Sequence, residues 1–383
     1  MKILYIISSL HNSAGMERVT VQKLCYLSQL NNYEVSVLTT DQNNRPYFYE
    51  LPSNIKTYDL GINFYKYNNK PIILKLFYFL KKQILFKKRL KRFLYQNPQD
   101  IVISLILKSV DFIGKIDDGS KKIVEHHFSR EYSSYFSKAF HRNKISTYIY
   151  NIRGKIEYKK IQTIDKFIVL TNEDANNWKG LNNICVIPNS IPTIKLKKSE
   201  LNNKIVIAVG RLEYQKGFDI LLEIWEETIK RHPDWQLHIY GNGTLKTELL
   251  NQIKRLNITN SVKIFDPTNK IYKKLQESSI FVLTSRFEGL PMVLLEAMNL
   301  GLPCISFKCK CGPKDVITNN IDGFLVEENN KKEFINKLDI LMSDNNRRKL
   351  MGEQAHINIQ RFSEEKIMSK WINLFNQLLQ KKS

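Results

Sequence analysis

The sequence predicts an α/β protein made of two successive doubly wound parallel sheets. Three observations predict it. Short apolar runs alternate with longer amphipathic stretches along the chain. The opening strand, glycine-containing loop, helix and second strand form a βαβ start. After a polar, basic stretch at Pro192–Asn203, the same alternation begins again at Lys204.

Taken in order, Lys2–Ile7 reads as a strand, Ser8–Arg18 as a loop, Met16–Leu30 as a helix and Glu34–Thr39 as a second strand. Ligands of doubly wound sheets lie at the carboxyl ends of strands, so the loop Ser13-Ala-Gly15-Met-Glu17 is expected at a binding crevice. It is not a Gly-x-Gly-x-x-Gly fingerprint, and a plain turn glycine is the alternative reading. Pro71–Tyr95 is a helical stretch whose Ile73, Leu76, Phe77, Leu80 and Ile84 share one face, with Lys75, Lys82 and Arg89 near the opposite one. Ten basic residues fall between Lys66 and Arg92, and no acid lies between Asp59 and Asp100. That pattern fits a helix docked on anionic lipid. The alternative is a packed amphipathic helix with a solvated basic face. Strands follow at Asp100–Leu107, Lys121–Glu125 (running into His126-His127), Asp165–Leu170 and Asn183–Ile187.

In the second half, strands are expected at Lys204–Gly210, Trp235–Tyr240, Val262–Phe265, Ile280–Leu283, Pro303–Phe307 and Phe324–Val326. Helices are expected at Gly217–Lys230, Leu245–Leu256, Tyr272–Glu277, from Pro291 through Ala297, and at Lys331–Met342. Ser363–Leu379 reads as a final amphipathic helix that crosses back to brace the two halves. The domain boundaries expected are 1–195, 196–360 and, for the bracing helix, 361–383.

Composition limits the function. The chain has 383 residues and a net charge of +22. Residues 1–195 carry 30 Lys and Arg against 15 Asp and Glu, the remainder 29 against 22. The excess sits in the first half and calls for an anionic partner: nucleic acid, anionic lipid or a phosphorylated substrate. Five cysteines without framework spacing point to a reducing compartment, and Cys309-Lys-Cys311 is too tight for a zinc pair. No signal peptide and no run long enough to span a bilayer stand out. The expected location is cytoplasmic, peripheral to the inner face of the cell membrane.

Two stretches carry chemistry. In Phe281-Val-Leu-Thr-Ser-Arg-Phe-Glu288-Gly-Leu-Pro-Met-Val-Leu-Leu-Glu296-Ala-Met, a buried strand gives way to a loop and a helix that starts at Pro291. The free N–H groups at the helix mouth suit an anion. Glu288 in the loop and Glu296 in the helix suit neutral hydroxyls, so together they suggest a polyol carrying phosphate. A capping acid plus a solvated helix glutamate is the alternative. In Gly210-Arg211-Leu-Glu-Tyr-Gln-Lys216-Gly217, again between strand and helix, Arg211 offers a fork and Lys216 a point charge. Cations at the positive end of a helix are unfavourable without an anion nearby. Here the alternative is two surface cations. His126 and His127, at a strand's carboxyl end, read either as core histidines or as donors to a sugar hydroxyl or an oxyanion.

These segments, with Asp234-Trp-Gln-Leu-His-Ile-Tyr-Gly-Asn-Gly, Pro188-Asn-Ser, Cys311-Gly-Pro-Lys-Asp-Val-Ile and Asp322-Gly-Phe-Leu-Val, resemble family 4 retaining glycosyltransferases of the GT-B fold. Gly15-Met-Glu-Arg-Val and Glu125-His-His-Phe fit the branch that builds bacterial surface polysaccharides. The resemblance implies two Rossmann-like domains facing across a cleft, an N-terminal one for acceptor and a C-terminal one for donor. It implies that Arg211 and Lys216 hold a nucleotide diphosphate and that Glu296 binds ribose hydroxyls. Glu288, with the N–H groups of Gly289, Leu290, Pro291 and Met292 as far as each has one, is implied to hold the donor sugar. Gly15 would let backbone approach the phosphate, and His126, rather than His127, would lie near the reacting carbon, making His126 and Glu288 the catalytic pair. Ala14 departs from the family, which commonly has a second glycine there.

The implied function is transfer of a hexose-type sugar, with retention, from a nucleotide donor of UDP type to a lipid-linked or saccharide acceptor in capsule, O-antigen or exopolysaccharide synthesis. No metal and no cofactor beyond the donor substrate are expected. The partners expected are the donor, a lipid-linked saccharide and an anionic membrane surface at the basic helix 71–95, with no nucleic acid. A GT-B nucleotide-sugar epimerase and, on charge alone, a nucleic-acid binder are the rival readings.

Overall fold

The structure is a computed structural model and describes residues 1–12, 15–67, 71–130, 156–191 and 196–380. The chain divides into two compact units, Met1–Leu170 with Ala175–Ile187 and Ile367–Ser383, and Thr171–Asp174 with Pro188–Lys366.

The first unit runs β1 (Lys2–Ile7), α1 (Gly15–Ser28), β2 (Glu34–Thr39), β3 (Lys56–Asp59), α2 (Ile72–Gln96), β4 (Ile101–Ser104), β5 (Lys121–His126) and β6 (Lys166–Val169). A short α3 (Asn172–Asn177) and β7 (Ile184–Val186) follow. Among the described residues these strands form one parallel sheet in the order β3-β2-β1-β4-β5-β6-β7. Both faces are covered, so its inner strands are apolar throughout rather than alternating. Side chains still alternate between two cores. Ile3, Tyr5, Ile7 and Ile123 face one core, Leu4, Ile6 and Val124 the other. β3, an exposed Lys-Thr-Tyr-Asp edge strand, carries no apolar run, which is why the sequence pattern does not show it.

The second unit runs β8 (Ile205–Val209), α4 (Phe218–Ile229), β9 (Gln236–Tyr240), α5 (Lys246–Arg255), β10 (Val262–Phe265), α6 (Ile271–Gln276), β11 (Ile280–Leu283) and α7 (Met292–Asn299). It continues with β12 (Cys304–Phe307), α8 (Pro313–Val316), β13 (Gly323–Val326), α9 (Lys331–Ser343) and α10 (Asn345–Ile359). The described strands form a parallel sheet in the order β10-β9-β8-β11-β12-β13. Its core gathers Trp225 and Leu221 of α4, Val282 of β11 and Phe334 of α9. α10 was not expected. Its sequence is polar nearly all round and buries only Met351, Gly352, Ala355, Ile359 and the Arg348 side chain, which bonds backbone oxygens of Leu201 and Leu341.

The last helix, α11 (Glu364–Gln380), packs Ile367, Met368, Trp371, Leu374, Phe375 and Leu378 into the first unit's core beside Ile3 and Tyr5. Both sheets reverse strand order once, between β1 and β4 and between β8 and β11. Crevices outside the carboxyl ends at such reversals are where doubly wound sheets bind ligands. The two parallel Rossmann-like sheets are those of the GT-B fold.

Candidate active site

The two chemistry-bearing stretches leave β8 and β11, the neighbours at the second unit's reversal point. Their turns lock together through glycine. Gly217 has φ +63°, and a Cβ there would sit 2.2 Å from the Thr284 oxygen. Only glycine lets the β8 turn close on the end of β11. At Gly210 a Cβ would come within 3.0 Å of the Lys216 stem, so the glycine gives that side chain a path back across its own turn. The turn after β9 buttresses the same region. The Leu212 N–H donates to the Asn242 oxygen, and Glu213 accepts from the Thr244 N–H at 3.0 Å and hydroxyl at 2.8 Å. Those two hydrogen bonds hold the Glu213 carboxyl below its ordinary range.

At the centre, Lys216 Nζ lies 2.7 Å from Glu288 Oε1. Ser285 Oγ donates to the same oxygen at 2.6 Å. Both contacts fall on Oε1 and leave Oε2 outside the pair. Glu288 is 6% exposed and Glu296 3% exposed. The Glu288 loop is fixed by its own N–H donating to the Lys310 oxygen, and by the Gln215 amide donating to the Phe287 oxygen. Arg286 clamps the turn from outside: it forks onto Asp219 at 2.9 and 2.6 Å, bonds the Tyr214 oxygen and stacks 3.9 Å from the Tyr214 ring centre. α4 follows Gly217 and α7 follows Pro291, and neither start has a side-chain cap. Two helix N-termini therefore keep donors for an anion at one reversal point. Pro291 itself is the residue before the helix rather than its first residue. Burial, with Glu288 adding to it, pushes the adjacent Cys309 thiol well above its ordinary range, which leaves it protonated and inert.

This geometry rejects the capping-acid and solvated-glutamate reading, and the surface-cation reading for Lys216 alone. Glu288 caps no helix and Glu296 is not solvated. Lys216 is not a bare surface cation, because Glu288 supplies its anion. Arg211 is the exposed member of the set, with one long contact to Gln215 Oε1 at 3.4 Å. Gly289 and Met292 are half-buried, Leu290 and Pro291 buried, in the loop and helix start. Ser285, Arg286 and Gln215 were not singled out in the sequence. All three stand inside the two quoted motifs, but only the fold shows which group each one meets.

In the first unit, Gly15 opens α1, and a Cβ there would meet no atom within 4 Å. Nothing in the protein itself demands glycine at that position. Ala14 lies outside the described residues. β5 sends its last side chains to opposite faces. His126 points into the core of α2, stacked on Phe167 at 5.7 Å and edge-on to Trp178 at 5.8 Å. Glu125 and His127 point the other way. Glu125 Oε2 takes Lys23 Nζ of α1 at 2.5 Å and the His127 Nε2 at 3.1 Å, and Lys23 also lies 4.6 Å over the Trp371 ring of α11. Burial pushes the Glu125 carboxyl up, but the Lys23 charge and the His127 ring outweigh it and hold it at about 2. Burial holds the His127 imidazole below its ordinary value.

Two parallel Rossmann-like sheets, with a buried Lys216–Glu288 pair at the second unit's reversal point, are the architecture of the GT-B fold. The family model described as "Glycosyl transferases group 1" matches residues 192–358. An uncharacterized glycosyltransferase of Haemophilus influenzae is 30% identical over 376 residues, spanning 97% of this chain and 98% of that protein. The amylovoran biosynthesis glycosyltransferase AmsD of Erwinia amylovora is 30% identical over 387 residues, 98% of this chain and 99% of that one. A solved structure of Staphylococcus aureus TarM, in complex with fondaparinux, alpha-GlcNAc-glycerol and UDP, superposes with a TM-score of 0.75 at 18% identity, covering 98% of this chain and 99% of that chain. The chain belongs to the group 1 glycosyl transferases, in agreement with the resemblance read from its motifs.

Proposed function

We propose that this glycosyltransferase moves a hexose-type sugar, with retention, from a UDP-sugar to a lipid-linked saccharide during synthesis of a bacterial surface polysaccharide. The single observation that carries the donor reading is the Lys216–Glu288 pair at the β8/β11 reversal, flanked by two uncapped helix starts. An ammonium has three N–H donors, so Lys216 can hold Glu288 with one and a phosphate oxygen with another. Arg211 and the helix starts supply further positive potential for the diphosphate. Glu288 Oε2 accepts from a sugar hydroxyl, while Glu296 takes the ribose hydroxyls. UDP in the TarM complex supports the choice of nucleotide, and the role of AmsD in amylovoran synthesis supports the choice of product.

In the step proposed, the bond from the anomeric carbon to the diphosphate oxygen breaks, and a bond from that carbon to the acceptor oxygen forms on the same face. The acceptor's proton passes to the departing phosphate. Lys216, Arg211 and the helix starts stabilise the charge that builds on the diphosphate. No protein nucleophile and no metal are needed for this balance. On the acceptor side His126 is proposed near the reacting carbon, with the Glu125-bound His127 as its neighbour. A lipid-linked acceptor places the reaction at the inner face of the cell membrane.

The test is incubation of the purified chain with radiolabelled UDP-sugars and membrane extract. Label in a lipid-extractable saccharide, formed roughly ten- to a hundredfold more slowly by Glu288→Gln, is the result expected. Epimerised donor without transfer would move the chain to the rival enzyme class. No turnover, together with no UDP or GDP binding, would refute the donor site.

A further inference from the structure

We infer that the outward face of α2 is a docking surface for an anionic lipid bilayer; the inference rests on the proposed lipid-linked acceptor only for its purpose. The helix is seated through its inner side, where Phe86, Leu90 and Leu94 are fully buried in the first unit's core. At about 100° per residue, Phe77, Ile84, Lys88, Lys91 and Tyr95 lie within roughly 40° of one line along the opposite side. Leu74, Leu80, Lys81 and Arg92 lie within about 60° of it. Phe77 is 50%, Leu80 54% and Ile84 69% exposed. The side chains of Ile73, Lys75 and Leu76 lie outside the described set. The choice between a packed and a docking face therefore resolves by position: the face carrying Phe77, Leu80 and Ile84 is not the packed one.

The outward face is graded along its length. Its large apolar side chains occupy Leu74 to Ile84, about 15 Å of helix. Its exposed cations are Lys81, Lys88, Lys91 and Arg92, three of them beyond Ile84. Cations lie on rings along the face, Lys81 over Phe77 at 4.4 Å and Lys91 over Tyr95 at 5.6 Å. Arg89 is occupied elsewhere, on the backbone oxygens of Leu60 and Gly61. Apolar side chains that enter the acyl boundary and cations that meet anionic headgroups therefore share one exposed side of the helix. A nucleic acid would use the cations but not Leu74, Leu80 and Ile84. A second copy of the chain would press like charges together in a protein already at +22. No described helix is long and apolar enough to cross a membrane, so α2 lies on the surface.

The experiment is flotation of the full chain with phosphatidylcholine vesicles, with and without phosphatidylglycerol, at low and physiological salt. Binding is expected only with phosphatidylglycerol, weakening as salt rises. The double variant Lys88→Glu/Lys91→Glu should lower it at least tenfold, and Phe77→Ser/Ile84→Ser should remove the part that survives salt. Both variants should keep wild-type UDP binding, which shows that they fold. Equal binding to both vesicle types, or unchanged binding by both variants, overturns the inference. So does a wild-type dimer dissolved by Phe77→Ser/Ile84→Ser, which assigns the face to a second copy. RNA binding at physiological salt that is lost in Lys88→Glu/Lys91→Glu, without vesicle binding, overturns it in favour of nucleic acid. Failure of UDP binding in the wild type counts against the donor site and leaves the flotation result standing.

Discussion

Lys216 ties the stability of the second unit to the proposed donor chemistry. Its side chain is 14% exposed and that of Glu288 7%, so removing the cation strands a buried carboxylate on Ser285 alone. Lys216→Ala is expected to destabilise the second unit by about 3 kcal/mol or more, measured by urea unfolding, and to abolish measurable UDP binding. Glu288→Gln keeps the shape and a polar atom, so stability should change less, while kcat/KM falls roughly ten- to a hundredfold, the worth of a hydrogen bond to a charged group. Burial of Glu296 changes what its substitution tests. Glu296→Ala removes a buried carboxylate and perturbs stability and binding together. Glu296→Gln is the cleaner variant, expected to weaken UDP binding with little change in Tm. The Lys23–Glu125–His127 set makes a pH prediction with a definite sign. Glu125 is held at about 2 against an ordinary 4.5, and His127 is held below 6.5. In both cases the unfolded chain binds its proton first, so stability is full above pH 6.5 and falls as pH drops, through His127 first and Glu125 later. His127→Gln should flatten the upper part of that fall in urea titrations. His126→Gln should lower kcat more than His127→Gln does; the reverse order would give His127 the catalytic position.

Among the elements, α11 is the test of connectivity. It is last in sequence, yet it completes the core that the first strand begins. Trp371 is fully buried there beneath the Lys23 cation. Trp371→Ala should cost about 3–5 kcal/mol, measured by urea unfolding followed through the remaining tryptophans. α7 shows the opposite economy. It is short, uncapped at Pro291 and fully used, with Leu294, Leu295, Glu296, Ala297 and Met298 buried behind a start that points donors at the reversal point.

Across the full chain, two parallel sheets each reverse once, and the charged and carboxylate-bearing turns fall at the second reversal. A ligand that binds only the folded second unit stabilises it by mass action. UDP at about a hundredfold over its Kd contributes about 2.7 kcal/mol and should raise Tm by a few degrees in a thermal-shift screen. ADP and GDP serve as comparisons, and a larger shift with either would replace uridine as the base.

The parallel α/β plan is legible in the chain alone, because strands buried on both faces must be apolar runs and helices between them must be amphipathic. The residue pattern of the two turns, Gly210, Arg211, Lys216, Glu288 and Glu296, is equally plain in the chain, because it is local; their donor role is the proposal made above. β3 and α10 were not legible, because one is an exposed edge strand and the other is polar nearly all round. The pairing of Lys216 with Glu288, the Arg286–Asp219 clamp and the split of His126 from His127 emerge only in three dimensions. Each depends on which strands become neighbours and on which side of a strand a residue emerges. Spacing along the chain does not encode the first, and the second becomes informative only once each face has a known partner. The same holds for α2, whose apolar stripe is plain in the sequence but whose outward direction follows from Phe86, Leu90 and Leu94 taking the inward one.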